Sequence, residues 1–155
     1  MFGLCLLSIC FISSCSLTST KTNFSEVDFS SEVKVNFEYN FEVFDALIRY
    51  ENDSLYFKYS DNCGTMSNTV VTINAETYSF SNIDLKFSGE TNELNNKFLP
   101  LIIYNLLSEN SGLLKTQMYD ESKNCYYFEE SLSDKFLRFE VYEHNKTSSY
   151  VIIIS

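Results

Sequence analysis

Few groups in this chain could do chemistry. A Ser-His-Asp triad or a Cys-His pair would have to use His144, the single histidine among 155 residues. No Gly-x-Ser-x-Gly elbow presents a serine to it, and neither Cys63 nor Cys125 stands in the local context of a nucleophilic thiol. Gly3, Gly64, Gly89 and Gly112 are too scattered to cradle phosphate. Asp120/Glu121 and Glu129/Glu130 are carboxylate pairs of the kind glycoside hydrolysis uses, but their settings read as a solvated turn and a strand end. No CxxC or HxxxH spacing offers a metal site, and Asp61 with Asn62 lacks the spacing of a calcium loop. The residues therefore point to no catalytic set, no metal and no cofactor. With 21 acidic against 11 basic side chains the net charge is −10, which argues against nucleic acid because no basic patch can be assembled to neutralise phosphates.

The other reactive residue is Cys15. Nothing before it in residues 1–14 is charged, and Phe2 to Ile12 form an apolar run of signal-peptide length. That run is too short to cross a bilayer, which takes about 20 residues. Ile12-Ser13-Ser14-Cys15 resembles a bacterial lipobox, a branched aliphatic residue and two small residues before a cysteine. The resemblance implies diacylglycerol on the Cys15 thiol, cleavage just before it, and a place in the cell envelope on the outer face of the cytoplasmic membrane. An ordinary cleaved signal peptide and a buried N-terminal segment are the other readings of the same run. The chain then divides into a lipoprotein signal peptide over 1–14, a flexible polar tether over 15–28 and a single body over 29–155. Cys5 and Cys10 would leave with the signal peptide. Cys63 and Cys125 remain, either as a disulfide worth about 4 kcal/mol in the chain-entropy account or as two unrelated thiols.

The elements that must position these groups are mostly strands. From Val33 to Val43 apolar and polar residues alternate without a break, which reads as one long strand with a buried and a wet face. Such alternation suits an antiparallel sheet. Further strands are expected at 45–50, 55–59, 69–73, 77–80, 83–87, 113–119, 124–129, 135–143 and 149–154, separated by polar turns such as Glu51-Asn52-Asp53-Ser54. Between them, apolar residues at 98, 99, 102, 103, 106 and 107 follow helical spacing. Pro100 suits the first turn and Gly112 the stop. Leu101 and Tyr104 make this helix apolar on most sides, so it either plugs a closed core or lids an apolar groove. The many aromatics, among them Tyr56, Tyr59, Tyr126, Tyr127, Phe128 and Tyr142, read first as strand and core residues, and second as an exposed stacking face.

This order is similar to the LolA/LolB-type lipoprotein fold and, more narrowly, to small uncharacterised lipoproteins of Gram-positive, clostridia-like bacteria. The features carrying the likeness are the lipobox, the alternating strand with Ala46-Leu47-Ile48 after it, Val71-Thr72-Ile73 with Tyr78, the Pro-led apolar helix, and the closing Ile152-Ile153-Ile154. The resemblance implies a mainly β (α+β) fold: a strongly curved antiparallel sheet, a half-barrel of about nine to ten strands, with one apolar helix on its concave side. The expected role is non-enzymatic, a membrane-anchored lipoprotein handling a lipid or other apolar ligand there, with Leu99, Ile103 and Leu106 lining the site. The alternative is a solid-core envelope interaction or adhesion protein that uses an acidic, Tyr-rich outer face.

Overall fold

The protein is seen in a computed structural model that describes residues 25–132 and 134–155. Cys15, with the expected signal peptide, lies outside the described residues. The chain runs through β1 (Glu26–Asp28), β2 (Val33–Tyr39), β3 (Glu42–Glu51), β4 (Ser54–Tyr59), β5 (Val70–Ile73), β6 (Thr77–Ser81) and β7 (Lys86–Glu90). Then come α1 (Leu99–Glu109), β8 (Leu113–Lys115), β9 (Met118–Asp120), β10 (Cys125–Leu132), β11 (Lys135–His144) and β12 (Thr147–Ile154). The fold is mainly β, with one α-helix among the described residues. β1, residues 26–28, falls in the stretch expected as the end of the tether, and it carries the buried Val27.

Ten strands form one sheet in the order β7-β6-β5-β4-β3-β2-β12-β11-β10-β9, and β1 pairs with β8 separately. The sheet is mixed, not wholly antiparallel as expected: β2 and β12 run parallel, from Tyr150 opposite Val35 to Ile154 opposite Tyr39. Two antiparallel meanders, β2–β7 and β9–β12, meet along that seam. Period-2 alternation reports only that one face is wet, so it carries no information on direction at the one junction where direction differs.

The expected eleven-residue strand is in fact a hairpin. Asn40 and Phe41 have φ of 49° and 66°, and Tyr39 stands opposite Glu42 across them. Two positive-φ residues make the tight turn whose twist matches that of the flanking strands. A two-residue turn also changes which parity faces inward. Val33, Val35 and Phe37 point into the core from β2, and Phe44, Ala46, Ile48 and Tyr50 do so from β3. Phe41 is left fully exposed and Val43 is 62% exposed. The expected strand at 113–119 likewise divides, its first half pairing with β1 and its second with β10.

One core lies on the inner face of the sheet. The helix covers the β4–β5 side, and Leu99, Ile102, Ile103, Leu106 and Leu107 are buried there. Phe29, next to β1, covers the other side with its ring 6.4 Å from that of Phe139. The helix ends in a Schellman closure: the Gly112 N–H donates to the Leu107 carbonyl at 2.8 Å and the Ser111 N–H to Ser108 at 3.3 Å. Gly112 has φ of +76°, and a Cβ there would sit 3.0 Å from Cδ1 of Tyr50, so both backbone and space call for glycine.

Candidate functional site

Strand β11 shows how the sheet builds a polar site. Its odd residues Leu137, Phe139 and Val141 are buried in the core. Its even residues Arg138, Glu140 and Tyr142 therefore stand on the outer face. Glu129 lies opposite Arg138 and Tyr127 opposite Glu140 on β10, while Asp120 on β9 lies opposite Cys125. Lys123 comes from the turn between β9 and β10.

These side chains converge on Glu140, which is only 1% exposed. Its Oε1 accepts from Lys123 Nζ at 2.7 Å and Arg138 Nε at 2.5 Å, and its Oε2 from the Tyr142 hydroxyl at 2.6 Å. Arg138 also donates to Glu129 at 3.0 Å and to Asp120 at 2.7 Å. Its guanidinium lies 3.8 Å from the centre of the Tyr127 ring, a stacked cation–π contact. One arginine thus ties three carboxylates from three strands.

Burial by itself would raise the Glu140 carboxyl, but the hydrogen bonds from Lys123, Tyr142 and Arg138 outweigh it and hold the group below its usual value. Asp120 is held down at about 2 by the Ser122 hydroxyl, the Lys123 backbone N–H and Arg138. Burial and the Glu140 carboxylate push the Tyr142 hydroxyl up. The Cys125 thiol is raised by burial and by the charge of Glu140, so it stays protonated and unreactive at neutral pH. The cluster is an acceptor-and-donor lattice whose members satisfy one another. It can present a rigid polar surface.

A smaller cluster lies on the outer face of the other meander. Asp45 accepts from Lys34 Nζ at 2.8 Å and from Asn36 at 3.0 Å, which lowers its carboxyl. With Leu47, Lys58, Asp61 and Asn62 it lines a shallow depression of about 420 Å³.

The expected ligand-lining residues are elsewhere. Leu99, Ile103 and Leu106 are buried at 4%, 1% and 2% exposure, in the same hydrophobic cluster as Phe37, Phe57 and Ile73. Cys63 and Cys125 are both free. Cys63 follows β4 and Cys125 opens β10, five strands further along the sheet. No bridge joins them in this structure. His144 is exposed at the β11–β12 turn. No group of three His, Cys, Asp or Glu able to hold a metal occurs among the described residues.

Of the aromatics singled out above, Tyr56, Tyr127 and Tyr142 stand on the outer face. Tyr59 is buried, and Tyr126 and Phe128 pack against the core. Asp120 and Glu129, expected in a solvated turn and strand end, both bind Arg138. Sequence reasoning passed over Arg138, Glu140 and Lys123. The available signal was the i, i+2, i+4 spacing of Arg138, Glu140 and Tyr142, alternating with the apolar Leu137, Phe139 and Val141. No family model matches the chain, and neither a curated protein nor a solved structure was found that does.

Proposed function

We propose that this chain is a non-enzymatic envelope lipoprotein, anchored to the outer face of the cytoplasmic membrane through Cys15, whose body binds a partner through its outer polar face. The observation that carries this reading is the Glu140–Arg138 lattice with the Tyr127 ring stacked on it. Arginine and tyrosine held rigidly at a surface are the residue types that dominate interface energetics, because little side-chain entropy remains to be lost on binding. The filled inner face supports the same reading, since it makes the helix a plug. With a net charge of −10 the partner is cationic, and its affinity falls as salt rises. Binding of an oligolysine probe, followed by fluorescence anisotropy between low and physiological salt, tests this. A Glu129→Lys variant should weaken it several-fold, and an unchanged affinity would reject the outer face as the site. Intact mass of the N-terminus from native cells tests the anchor, and an unacylated Cys15 would reject it.

A second reading keeps the likeness to the LolA/LolB fold in full: a sheet curved into a half-barrel, with an apolar ligand such as an acyl chain between helix and sheet. The observation on its side is a helix apolar on most of its circumference, with Leu101 only half-buried beside seven buried neighbours. Lipid mass spectrometry of the purified chain separates the two, since a co-purifying stoichiometric lipid favours the second.

A further inference from the structure

The sheet ends at β7, and β7 is open. Four of its five residues are exposed. The Asn82 N–H donates to Leu85 and the Thr91 N–H to Glu76, both at 2.9 Å. With Ser81 opposite Lys86 and Thr77 opposite Glu90, antiparallel alternation then makes Phe87 and Gly89 the hydrogen-bonded partners of β6. Lys86, Ser88 and Glu90 must therefore turn their N–H and C=O groups away from the sheet. Ile83, Leu85 and Phe87 beside this edge are 93%, 58% and 50% exposed. An edge with free ladder groups and apolar neighbours is a template for another strand.

We propose that the occupant of this edge is β7 of a second copy, paired antiparallel about a two-fold axis at Ser88. Sequence symmetry carries the choice. In that register Lys86 faces Glu90 of the second copy, Ser88 faces Ser88, and Glu90 faces Lys86, so both ends of the seam are opposite-charge pairs. The residues brought together as hydrogen-bonded pairs are the three whose backbone groups turn away from the sheet. Lys86 makes no ion pair among the described residues, so its charge is available. Phe87, which stacks on Phe80 with ring centres 4.8 Å apart, comes opposite Gly89 of the second copy, which adds no side chain of its own, although Tyr78 and Glu93 stand within 3.0 Å of where its Cβ would be. In the single chain the Glu93 carboxylate takes the Glu90 N–H through a long bond of 3.3 Å, and pairing displaces it.

A Ser88→Cys variant of the full chain, treated with a thiol oxidant in the membranes of expressing cells, tests the register. Ser88 lies on the proposed axis, so the two thiols meet, and a disulfide-linked dimer absent from the parent chain should appear on a non-reducing gel. Adding Lys86→Glu or Glu90→Lys should cut the dimer band at least fivefold, because each reversal puts like charges at both ends of the seam. Combining Lys86→Glu with Glu90→Lys should restore it. Absence of the Ser88→Cys dimer overturns the proposal. So does a dimer indifferent to single reversal, or single losses that the double exchange fails to repair.

Discussion

The two wings of the sheet are held by different physics. In the β9–β11 wing the outer face is locked by directional bonds: Arg138 to Asp120, Glu129 and Glu140, with Lys123 and Tyr142 completing the buried carboxylate. In the β5–β7 wing the outer face holds a single hydroxyl pair, Thr72 with Ser79 at 2.6 Å, and the inner face is apolar, with the helix over β5 and the Phe80–Phe87 stack beyond it. Directional bonds fix register residue by residue, whereas apolar cover rewards burial without specifying an edge. Both wings end in an edge strand, β9 in the first and β7 in the second, but β9 is tied to β11 through Asp120 and Arg138.

The largest effect should come from breaking the first wing. Arg138→Ala leaves Glu140 buried with one cation fewer and strips Asp120 and Glu129 of their shared partner. The expected loss is about 4 kcal/mol in urea unfolding, mostly the penalty of the stranded charge. A loss below about 1 kcal/mol would mean that the lattice is ornamental and the two wings are alike. In the second wing Ile103→Ala should cost about 3 kcal/mol, since Ile103 is 1% exposed and its removal opens a cavity under the helix. Amide exchange sharpens the contrast: Ile103→Ala should expose β4 and β5 first, and Arg138→Ala β10 and β11.

How much of this was readable beforehand follows the same division. The helix was plain, because Leu99, Ile103 and Leu106 recur at helical spacing and Pro100 and Gly112 bracket it. Most strands were plain, because the turn residues between them are distinct. The break at Asn40-Phe41 was hidden, since a two-residue turn between two alternating strands continues the alternation in the sequence while reversing the parity in space. The parallel seam between β2 and β12 was hidden for another reason: it joins residues more than a hundred positions apart, and nothing local records it. The lattice around Glu140 was half legible. Spacing places Arg138, Glu140 and Tyr142 on one face, but their convergence with Asp120, Lys123 and Glu129 depends on strand pairing.

Acid should dissolve the first wing selectively. Asp120 and Glu140 both have folded-state values below those of an unfolded chain. A depressed carboxyl contributes stability that is complete above the unfolded value and is lost as pH falls through the folded one. For Asp120 the window runs from about pH 4, the ordinary carboxylate value, down to about 2. Urea midpoints measured between pH 2 and 7 should fall across that window, and Arg138→Gln should flatten the fall. A variant with an unchanged profile would assign the acid sensitivity to the Ser122 hydroxyl and the Lys123 N–H around Asp120 rather than to Arg138.

The smallest effect runs the other way. Thr69, at the base of the second wing, is fully buried, and its Oγ1 is the one buried side-chain polar atom without a hydrogen-bond partner among the described residues. Its backbone is engaged on both sides, the N–H donating to Met66 at 3.0 Å and the carbonyl accepting from Tyr59 at 2.9 Å. Thr69→Val keeps the shape and the strand preference while exchanging a desolvated hydroxyl for a methyl. The midpoint should rise by the equivalent of about 1 kcal/mol. The matching exchange in the first wing, Tyr142→Phe, removes a hydroxyl that Glu140 uses, and should lower the midpoint by about the same amount. Opposite signs for these two single-hydroxyl deletions would separate a wing held by polar geometry from one held by apolar cover. Equal signs would erase the distinction.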